Sequence, residues 1–280
     1  MSRIAYVNGR YIRHADAAVH IEDRGYQFGD GIYEVITVIN GKLYDCDGHM
    51  ARLTRSLAEI SLDNPLTEDV LMLVMTRLVR MNLLKHGTIY LQITRGVARR
   101  DHKFPANAQS AIVMTVKHMR LAGRQHEAGV KAIIVDDLRW ARRDIKTIQL
   151  LPNCLAKQAA AEQGAYEAIM VMPDGSVSEG SSSNVWILTH DNQLVTRPAS
   201  HDILNGITRQ SIEKIAKKRQ ISVEFRTFDT AEMLAAKEVF VTSATSLATA
   251  ITQIDEHMIA DGKVGEIAHA LRADYLASPQ

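Results

Sequence analysis

A short glycine-rich segment, residues 22–34, constrains the fold of this chain more strongly than any other feature of its sequence. Three glycines and four aromatic or β-branched residues stand among charged ones there. This mixture is unfavourable for a helix, and glycine lets the backbone turn tightly or approach a ligand closely. Tyr26 and Tyr33 each combine an apolar ring with one hydrogen-bonding hydroxyl. Taken alone, the segment predicts a turn that leads into a β-strand, which begins near Gly31 and continues through Val38.

The composition is that of an ordinary globular protein and argues against several classes of function. The 280 residues suffice for one large domain or two modest ones, with 46% hydrophobic and 23% charged residues. A net charge of +1 supplies no field that would attract nucleic acid or an anionic membrane. The sequence contains no apolar run of about 18 residues and no apolar signal core. Cys46 and Cys154 have neither a metal-type nor a redox-type spacing. We therefore expect a cytoplasmic protein without a metal.

The order of the predicted elements indicates an α+β fold in two domains rather than a Rossmann sheet. Asn-Gly pairs at residues 8–9 and 40–41 predict two β-hairpins. Apolar periodicity predicts a helix at residues 49–62, and Thr67 is the predicted N-cap of the next helix. Later helices are expected at residues 154–163, 208–219 and 264–276. The predicted boundaries are 1–118 for a small N-terminal domain, 119–129 for a linker and 130–280 for a C-terminal domain.

Lys146 is the strongest candidate for a reactive side chain. Alternation in residues 144–151 predicts a strand with Lys146, Ile148 and Leu150 on one face. A lysine drawn into apolar surroundings has a lowered pKa, and its neutral amine can form a Schiff base with an aldehyde. The alternative is a lysine whose stem packs while its charged head reaches water. Lys157 is the nearest rival, but it falls in a helical alanine-rich stretch.

Other polar segments have both an ordinary and a functional interpretation. Glu179 opens the turn at residues 179–184, which looks too polar for a core, so it is either solvated or a ligand contact. Thr208 stands after Gly206 where a helix should start, which indicates either an N-cap or an anion site. Arg100 and His102 would point the same way in an extended segment and could hold a carboxylate. Their alternative is a solvated basic loop.

Several of these segments together resemble the fold-type IV pyridoxal-phosphate (PLP) enzymes, and in particular the D-amino-acid aminotransferases. The matching segments keep the family's order at residues 22–34, 94–96, 100–105, 144–146, 179–184, 206–209 and 241–243. The resemblance implies a small N-terminal α+β domain and a larger C-terminal β-pseudobarrel domain, with the cofactor between them. It also implies a homodimer.

The resemblance assigns most candidate residues to the cofactor. Lys146 would bind PLP covalently and carry the proton between the substrate Cα and the cofactor. Glu179 would face the pyridine nitrogen and keep it protonated, so that the ring can accept electrons. The remaining residues matched to the ring and phosphate are Arg52, Leu204, Gly206, Ile207, Thr208, Ser243 and Ala244. Ala244 departs from the family pattern, in which a second hydroxyl residue is common at this position.

The resemblance assigns a second group of residues to the substrate. Tyr33, Arg100 and His102 match the residues that hold the substrate α-carboxylate, and the Arg-x-His pair would come from the partner subunit. Ser182 could reach the substrate or the edge of the cofactor. The implied reaction is transamination between a D-amino acid and a 2-oxo acid such as 2-oxoglutarate or pyruvate, ping-pong through pyridoxamine phosphate. The alternatives are a branched-chain L-amino-acid aminotransferase, a 4-amino-4-deoxychorismate lyase and, in another class, a non-catalytic binding module.

Overall fold

The chain folds into two compact units in a computed structural model that describes residues 3–120 and 128–278. The first unit contains the described residues up to 120 together with Ile145–Gln149, and the second contains residues 128–144 and 150–278. The chain therefore leaves the second unit for five residues and then returns to it. The domain boundaries predicted from the sequence stay predictions. Residues 121–127 of the predicted linker lie outside the described residues.

The first unit is built on a six-stranded antiparallel sheet with the strand order β2-β1-β6-β5-β3-β4. Both Asn-Gly pairs have positive φ at both residues, which is the type I′ geometry, so the two predicted hairpins are confirmed. The strands are β1 Ile4–Val7, β2 Arg10–Arg13, β3 Gly31–Ile39, β4 Lys42–Leu43, β5 Gly87–Thr94 and β6 Ala111–His118. The helices are a 3₁₀ turn at His14–Asp16, α1 Arg24–Phe28, α2 Cys46–Glu59 and α3 Glu68–Met81.

One face of this sheet forms the core of the first unit with the apolar faces of α2 and α3. Alternation along β3 turns Ile32, Ile36 and Val38 inward, and all three are fully buried. Glu34 occupies the same inward row and is also 0% exposed. A carboxylate at this depth requires partners, because an isolated buried charge is very costly.

The glycine-rich segment differs in part from its predicted turn. Residues Arg24–Phe28 form the single-turn helix α1, which is capped by the Asp23 side chain and ended by Gly29 in the left-handed region. The prediction that this segment disfavours a helix is therefore wrong over five residues. A cap at each end compensates for the poor intrinsic propensity of so short a helix. The strand predicted from Gly31 is confirmed as β3.

The second unit contains a nine-stranded mixed sheet with the order β12-β11-β10-β13-β14-β7-β8-β9, and β15 pairs with β14. Trp186 and Phe240 stack as a cross-strand pair near its centre. The strands are β7 Val130–Asp136, β8 Glu167–Val171, β9 Val177–Gly180, β10 Asn184–Leu188, β11 Leu194–Thr196, β12 Val223–Phe225, β13 Glu238–Ser243, β14 Leu247–Ile254 and β15 His257–Met258. The helices are α4 Leu151–Glu162, α5 Ile207–Lys218, α6 Thr230–Leu234 and α7 Glu266–Ala277.

These two units confirm the predicted α+β class, since each combines a sheet with helices that follow no strict β-α alternation. Within residues 3–120 and 128–278, no helix is both long enough and apolar enough to cross a membrane.

Candidate functional site

Lys146 belongs to the short segment Ile145–Gln149, which lies along β3 of the first unit. The Tyr33 N–H donates to the Lys146 carbonyl at 3.0 Å, and the Ile148 N–H donates to the Gly31 carbonyl at 3.1 Å. These two bonds fix the backbone on both sides of Lys146 against a core strand. The position of the lysine is thus set by the strand that follows the glycine-rich segment.

The strand predicted around Lys146 does not form. The Thr147 N–H donates back to the Ile145 carbonyl at 2.8 Å, which closes a three-residue turn centred on Lys146. A turn of this kind interrupts the alternation that would place Lys146, Ile148 and Leu150 on one strand face. The prediction of a strand is therefore wrong, and the lysine is presented by a tight turn instead.

The Lys146 side chain lies over the ring of Tyr33. Its Nζ is 4.3 Å from the centroid of the Tyr33 ring, a cation–π contact. Tyr33 stacks on Tyr90 with ring centroids 5.6 Å apart, and the Tyr90 hydroxyl donates to Gln92 at 2.7 Å. Burial raises the pKa of Tyr90, so its hydroxyl remains a proton donor. Lys146 is half-buried and contacts the Tyr33 ring, which is itself supported by Tyr90.

Arg52, the residue matched to a phosphate contact, takes part in a buried cluster around Glu34. Its Nε and Nη2 donate to the two Glu34 oxygens at 2.8 and 2.6 Å, and His49 Nδ1 lies 2.7 Å from Glu34 Oε2. His49 and Arg52 lie one turn apart on α2 and face β3 together. Burial by itself raises the pKa of Glu34. Arg52 and His49 have the larger, opposite effect, so the pKa is lowered to about 2. Burial also lowers the pKa of His49, which the bond to Glu34 only partly offsets.

Arg100 and His102 meet on the ring of Phe28. The Arg100 guanidinium carbon is 4.8 Å from the Phe28 centroid, and the His102 and Phe28 ring centroids are 5.6 Å apart. Arg24 lies 4.7 Å from the same ring. Both members of the Arg-x-His pair are exposed to solvent in this chain. The structure therefore brings the two predicted carboxylate-binding groups together.

The base of this loop contains two buried arginines that bond the same carboxylate. Arg24 and Arg95 both donate to Asp30 Oδ2, at 2.7 and 2.9 Å. All three side chains are less than one-tenth exposed. Asp23, which precedes Arg24, is also buried and accepts from the Thr94 hydroxyl, so this region contains two buried carboxylates for its two arginines.

Glu179 lies at the end of β9 in the second unit and is buried, with only 4% of its surface exposed. It accepts hydrogen bonds from Arg139 Nη1, from Asn184 Nδ2 at 2.9 Å and from the Leu204 N–H at 3.2 Å. The interpretation of this turn as too polar for a core is wrong, because these donors satisfy the carboxylate. Burial raises the pKa of Glu179, and the Arg139 charge only partly offsets this effect.

Ser182 lies in the same turn and is exposed, and its hydroxyl is 3.4 Å from Glu167 Oε2. Glu167 is itself buried and also accepts from the hydroxyls of Ser181 and Ser183, the latter at 2.8 Å. The three serines of the turn therefore share one carboxylate, which fixes the backbone between Glu179 and Asn184.

Helix α5 begins at an uncapped N-terminus. Gly206 is its N-cap residue and provides no side-chain bond to the first turn. The helix begins at Ile207, so the predicted start at Thr208 is one residue late, and Thr208 is buried within the first turn. A Cβ at Gly206 would lie 2.2 Å from Asn184 Oδ1, which explains the glycine. Backbone N–H groups at such a terminus suit an anion.

Asn184 connects three of the predicted segments within the second unit. Its amide donates to Glu179 and, at 2.8 Å, to the Leu204 carbonyl, and it contacts Gly206 as described above. On β13 its cross-strand partner is Thr242, the residue before Ser243. The structure thus brings the ring-nitrogen candidate, the α5 terminus and the second loop to one place.

The loop after β13 consists of hydroxyl-bearing residues around Ala244. Ser243 Oγ lies 2.8 Å from Ser246 Oγ and accepts from the Ser246 N–H at 3.1 Å. Thr245 Oγ1 lies 3.1 Å from Ser243 Oγ. Ala244 is half-buried within this loop. Ala244 has no hydroxyl group, but the residues on both sides of it, Ser243 and Thr245, supply hydroxyl groups to this loop.

Two functional candidates were missed by sequence reasoning, namely Asp137 and Arg139. Asp137 forms a two-bond pair with Arg139 through Nε at 3.0 Å and Nη2 at 2.8 Å. Burial raises the pKa of Asp137, but its bonds to Arg139 lower it to about 2. The only signal for this pair in the sequence is an aspartate followed two positions later by an arginine. Among the described residues, no group of three or more His, Cys, Asp or Glu side chains is arranged to hold a metal ion.

Comparison with known proteins identifies relatives over nearly the whole chain. The family model described as amino-transferase class IV matches residues 31–254. D-alanine aminotransferase of Bacillus licheniformis is 41% identical over 260 residues, which cover 93% of this chain and 91% of that protein.

Solved structures show the same fold. The branched-chain amino acid aminotransferase of Escherichia coli superposes with a TM-score of 0.91 at 22% identity, covering 99% of this chain and 94% of that one. A hypothetical aminotransferase from Mycobacterium tuberculosis in its PLP-bound form gives a TM-score of 0.85 at 23% identity, covering 98% of each chain. The fold class predicted from the sequence is confirmed.

Proposed function

We propose a specific activity for this chain, which belongs to the class IV aminotransferases. The protein transfers the amino group of a D-amino acid, such as D-alanine, to a 2-oxo acid, such as 2-oxoglutarate. The observation that carries this proposal is the 41% identity to a D-alanine aminotransferase over 93% of the chain. The Arg100-x-His102 pair supports it, since both side chains meet on one aromatic ring.

Pyridoxal 5′-phosphate is the proposed cofactor, and the residues present suit its chemistry. Lys146 offers a primary amine for the aldehyde. Glu179 offers a buried carboxylate for the pyridine nitrogen, and the uncapped α5 terminus offers N–H groups for the phosphate. When bound, this cofactor acts as an electron sink for a carbanion at the substrate Cα. The other proposed contacts are Arg52, Leu204, Gly206, Ile207, Thr208, Ser243 and Ala244.

Different residues of this chain would transfer the proton and stabilise the charges of the reaction. Lys146 would take the proton from the substrate Cα and return it on the cofactor side, as a general base and acid. Glu179 would keep the ring nitrogen protonated. Arg52 is held by Glu34, so its guanidinium would meet the phosphate in a fixed orientation.

The substrate is proposed to bind through its α-carboxylate to Tyr33, Arg100 and His102, with Ser182 near its other edge. A guanidinium and an imidazole together can neutralise and orient one carboxylate. We further propose a homodimer in which Arg100 and His102 serve the site of the partner subunit. The exposure of both side chains in this chain is consistent with that role.

A branched-chain L-amino-acid aminotransferase is the second candidate, because the solved structure with a TM-score of 0.91 is an enzyme of that name. The identity to it is only 22%, about half of that to the D-alanine aminotransferase. A cytoplasmic location stays a prediction. It is supported by the fact that both cysteines, Cys46 and Cys154, are free thiols.

The test is a panel of paired D- and L-amino acids with 2-oxoglutarate as acceptor. We expect rapid turnover of D-alanine and slow turnover of L-leucine, and the reverse order would establish the branched-chain alternative. Borohydride should fix the cofactor to Lys146, and Lys146→Ala should lose both fixation and turnover while remaining folded. A protein that binds the cofactor but converts no donor would be a binding module.

A further inference from the structure

Glu179 stands at one end of a row of buried charges that runs through Arg139 to Asp137 and Arg143. Arg139 directs one N–H to Glu179 and two to Asp137. Asp137 also accepts from the Ser178 hydroxyl at 2.7 Å and pairs with Arg143 Nε at 3.1 Å. The Arg139 side chain is 8% exposed and that of Asp137 is 0% exposed. The row contains two positive and two negative groups, so its charges balance.

The position of Arg139 is determined by Asp137 rather than by Glu179. The bond pair to Asp137 is bidentate, and the Arg139 backbone N–H donates to the same carboxylate at 3.1 Å. A bidentate pair fixes the plane of a guanidinium as well as its distance. Only the third donor, Nη1, points to Glu179, and it meets Oε1 of the carboxylate.

A carboxylate buried like Glu179 favours its neutral form unless nearby groups stabilise the charge. The hydrogen-bond donors that face it are Arg139, the Asn184 amide and the Leu204 N–H. The charges that act on it are those of Arg139, Asp137 and Arg209. Arg139 is the cation in direct contact, so it makes the largest favourable contribution to the ionised form.

We propose that Arg139 is a positioning residue that keeps Glu179 ionised and aimed at the cofactor ring nitrogen, and that Asp137 holds Arg139 in place for this purpose. The inference rests on the proposed function, because it assumes that Glu179 faces that nitrogen. A protonated Glu179 cannot stabilise the positive charge of the ring. Loss of Arg139 therefore slows the reaction without removing any group that touches the substrate.

The test compares Arg139→Met and Arg139→Lys with the parent holoenzyme. The half-reaction with D-alanine is followed by cofactor absorbance as a function of pH. We expect Arg139→Met to be about ten- to a hundredfold slower at neutral pH, as for the loss of a charge-assisted hydrogen bond. The acid limb of the profile moves to higher pH, because the group that lowered the pKa of Glu179 is gone. Arg139→Lys gives a smaller shift of the acid limb, since lysine keeps the positive charge but lacks the planar guanidinium that bonds Asp137 in bidentate fashion.

Arg142→Met is the matched control, because Arg142 lies in the same segment and pairs with Asp144. It should leave the pH profile unchanged. The decisive comparison repeats Arg139→Met in a protein that already carries Glu179→Gln. If Arg139 acts through Glu179, adding Arg139→Met to Glu179→Gln slows the half-reaction by no more than about twofold. Affinity for the cofactor and the thermal midpoint of each apoprotein are measured alongside.

Equal effects of Arg139→Met in both backgrounds, or an acid limb that stays at the parent's pH, would overturn the inference. If Arg139→Met does not fold, Arg139→Lys must show the shifted limb, and its absence overturns the inference equally. A parent protein that binds no PLP would overturn the proposed function and this inference together. A parent that transaminates D-alanine while both variants keep its profile overturns the inference alone.

Discussion

Replacing Glu34 with glutamine should destabilise the first unit strongly at neutral pH and much less in acid. Glu34 is 0% exposed and receives two bonds from Arg52 and one from His49. Glutamine keeps the shape of the side chain but carries no charge, so a buried guanidinium loses its counter-ion. The effect should therefore depend on pH in the way that the carboxylate itself does.

The magnitude follows from the pKa of Glu34, which is lowered from 4.5 to about 2 in the folded protein. A shift of about 2.5 units corresponds to about 3 kcal/mol of folding free energy. Since the folded pKa is the lower one, this stabilisation is complete above the unfolded pKa and is lost as pH falls from 4.5 toward 2. At pH 3 about 1 kcal/mol should remain. Loss of one partner from a buried ion pair costs about 3–5 kcal/mol in other proteins, which agrees.

The assay must report the first unit alone. Both tryptophans, Trp140 and Trp186, belong to the second unit, so their fluorescence cannot serve. Hydrogen exchange of peptides from β3 and α2, measured by mass spectrometry in increasing urea, reads the opening free energy locally. Asp16→Asn is the matched control, because Asp16 belongs to the same unit, forms a surface pair with Arg13 and should cost less than about 1 kcal/mol.

Two results would refute the reasoning about Glu34. The first is an opening free energy at pH 7.5 that equals the parent's within the error of the control. The second is a deficit of the same size at pH 7.5 and pH 3, which would show that shape and not charge is responsible. His49 adds to the trend in the parent, because its lowered pKa also makes the folded state less stable below its usual titration range.

Three further changes test the candidate site and the stability of the second unit. Replacing Arg100 and His102 with alanine should raise the KM for D-alanine about ten- to a hundredfold without affecting amines that lack a carboxylate; an unchanged KM would exclude a carboxylate-binding role. Glu238→Gln should lower the stability of the second unit by about 1–2 kcal/mol in urea unfolding followed by tryptophan fluorescence, because the Glu238 carboxylate accepts first-turn N–H groups of α7. Gly206→Ala should weaken PLP binding in titrations of the apoprotein, since the new Cβ would lie 2.2 Å from Asn184 Oδ1; parental affinity would place the phosphate elsewhere.

The parts of the fold that local chemistry dictates were predictable from the sequence. The Asn-Gly pairs form the expected hairpins, because asparagine and glycine tolerate the positive φ that a type I′ turn requires. Thr67 is the N-cap of α3 as predicted, although its side chain makes no capping bond. In each case the deciding interactions lie within a few residues of one another.

The conformation around Lys146 could not be predicted, because its cause lies far away in the sequence. The segment is held by backbone bonds to Gly31 and Tyr33, more than a hundred positions earlier. Alternation of apolar residues is a weak guide where partners of this kind determine the backbone. Local alternation made Lys146 a candidate, its proposed bond to the cofactor rests on the resemblance of its flanking residues to those of a family, and that role stays a prediction.

The Glu34 cluster was partly visible in the sequence and still missed. Glu34 interrupts a row of inward-facing residues between Ile32 and Ile36, which is a signal for a paired buried charge. His49 and Arg52, one turn apart on a helix, supply the matching donors. Combining the two signals requires knowing that α2 packs on β3, which is a tertiary fact.

The two buried carboxylates, Glu34 and Glu179, differ in the number of arginine donors that they receive. Arg52 gives both of its described bonds to Glu34, and the pKa of Glu34 lies at about 2. Arg139 gives two bonds to Asp137 and only one to Glu179, and burial then raises the pKa of Glu179. The ionised form of Glu34 is therefore stabilised by two direct arginine bonds, whereas that of Glu179 is stabilised by one. This difference suits Glu34 to a fixed structural charge, and it makes the proposed charge of Glu179 beside the cofactor ring depend on Arg139.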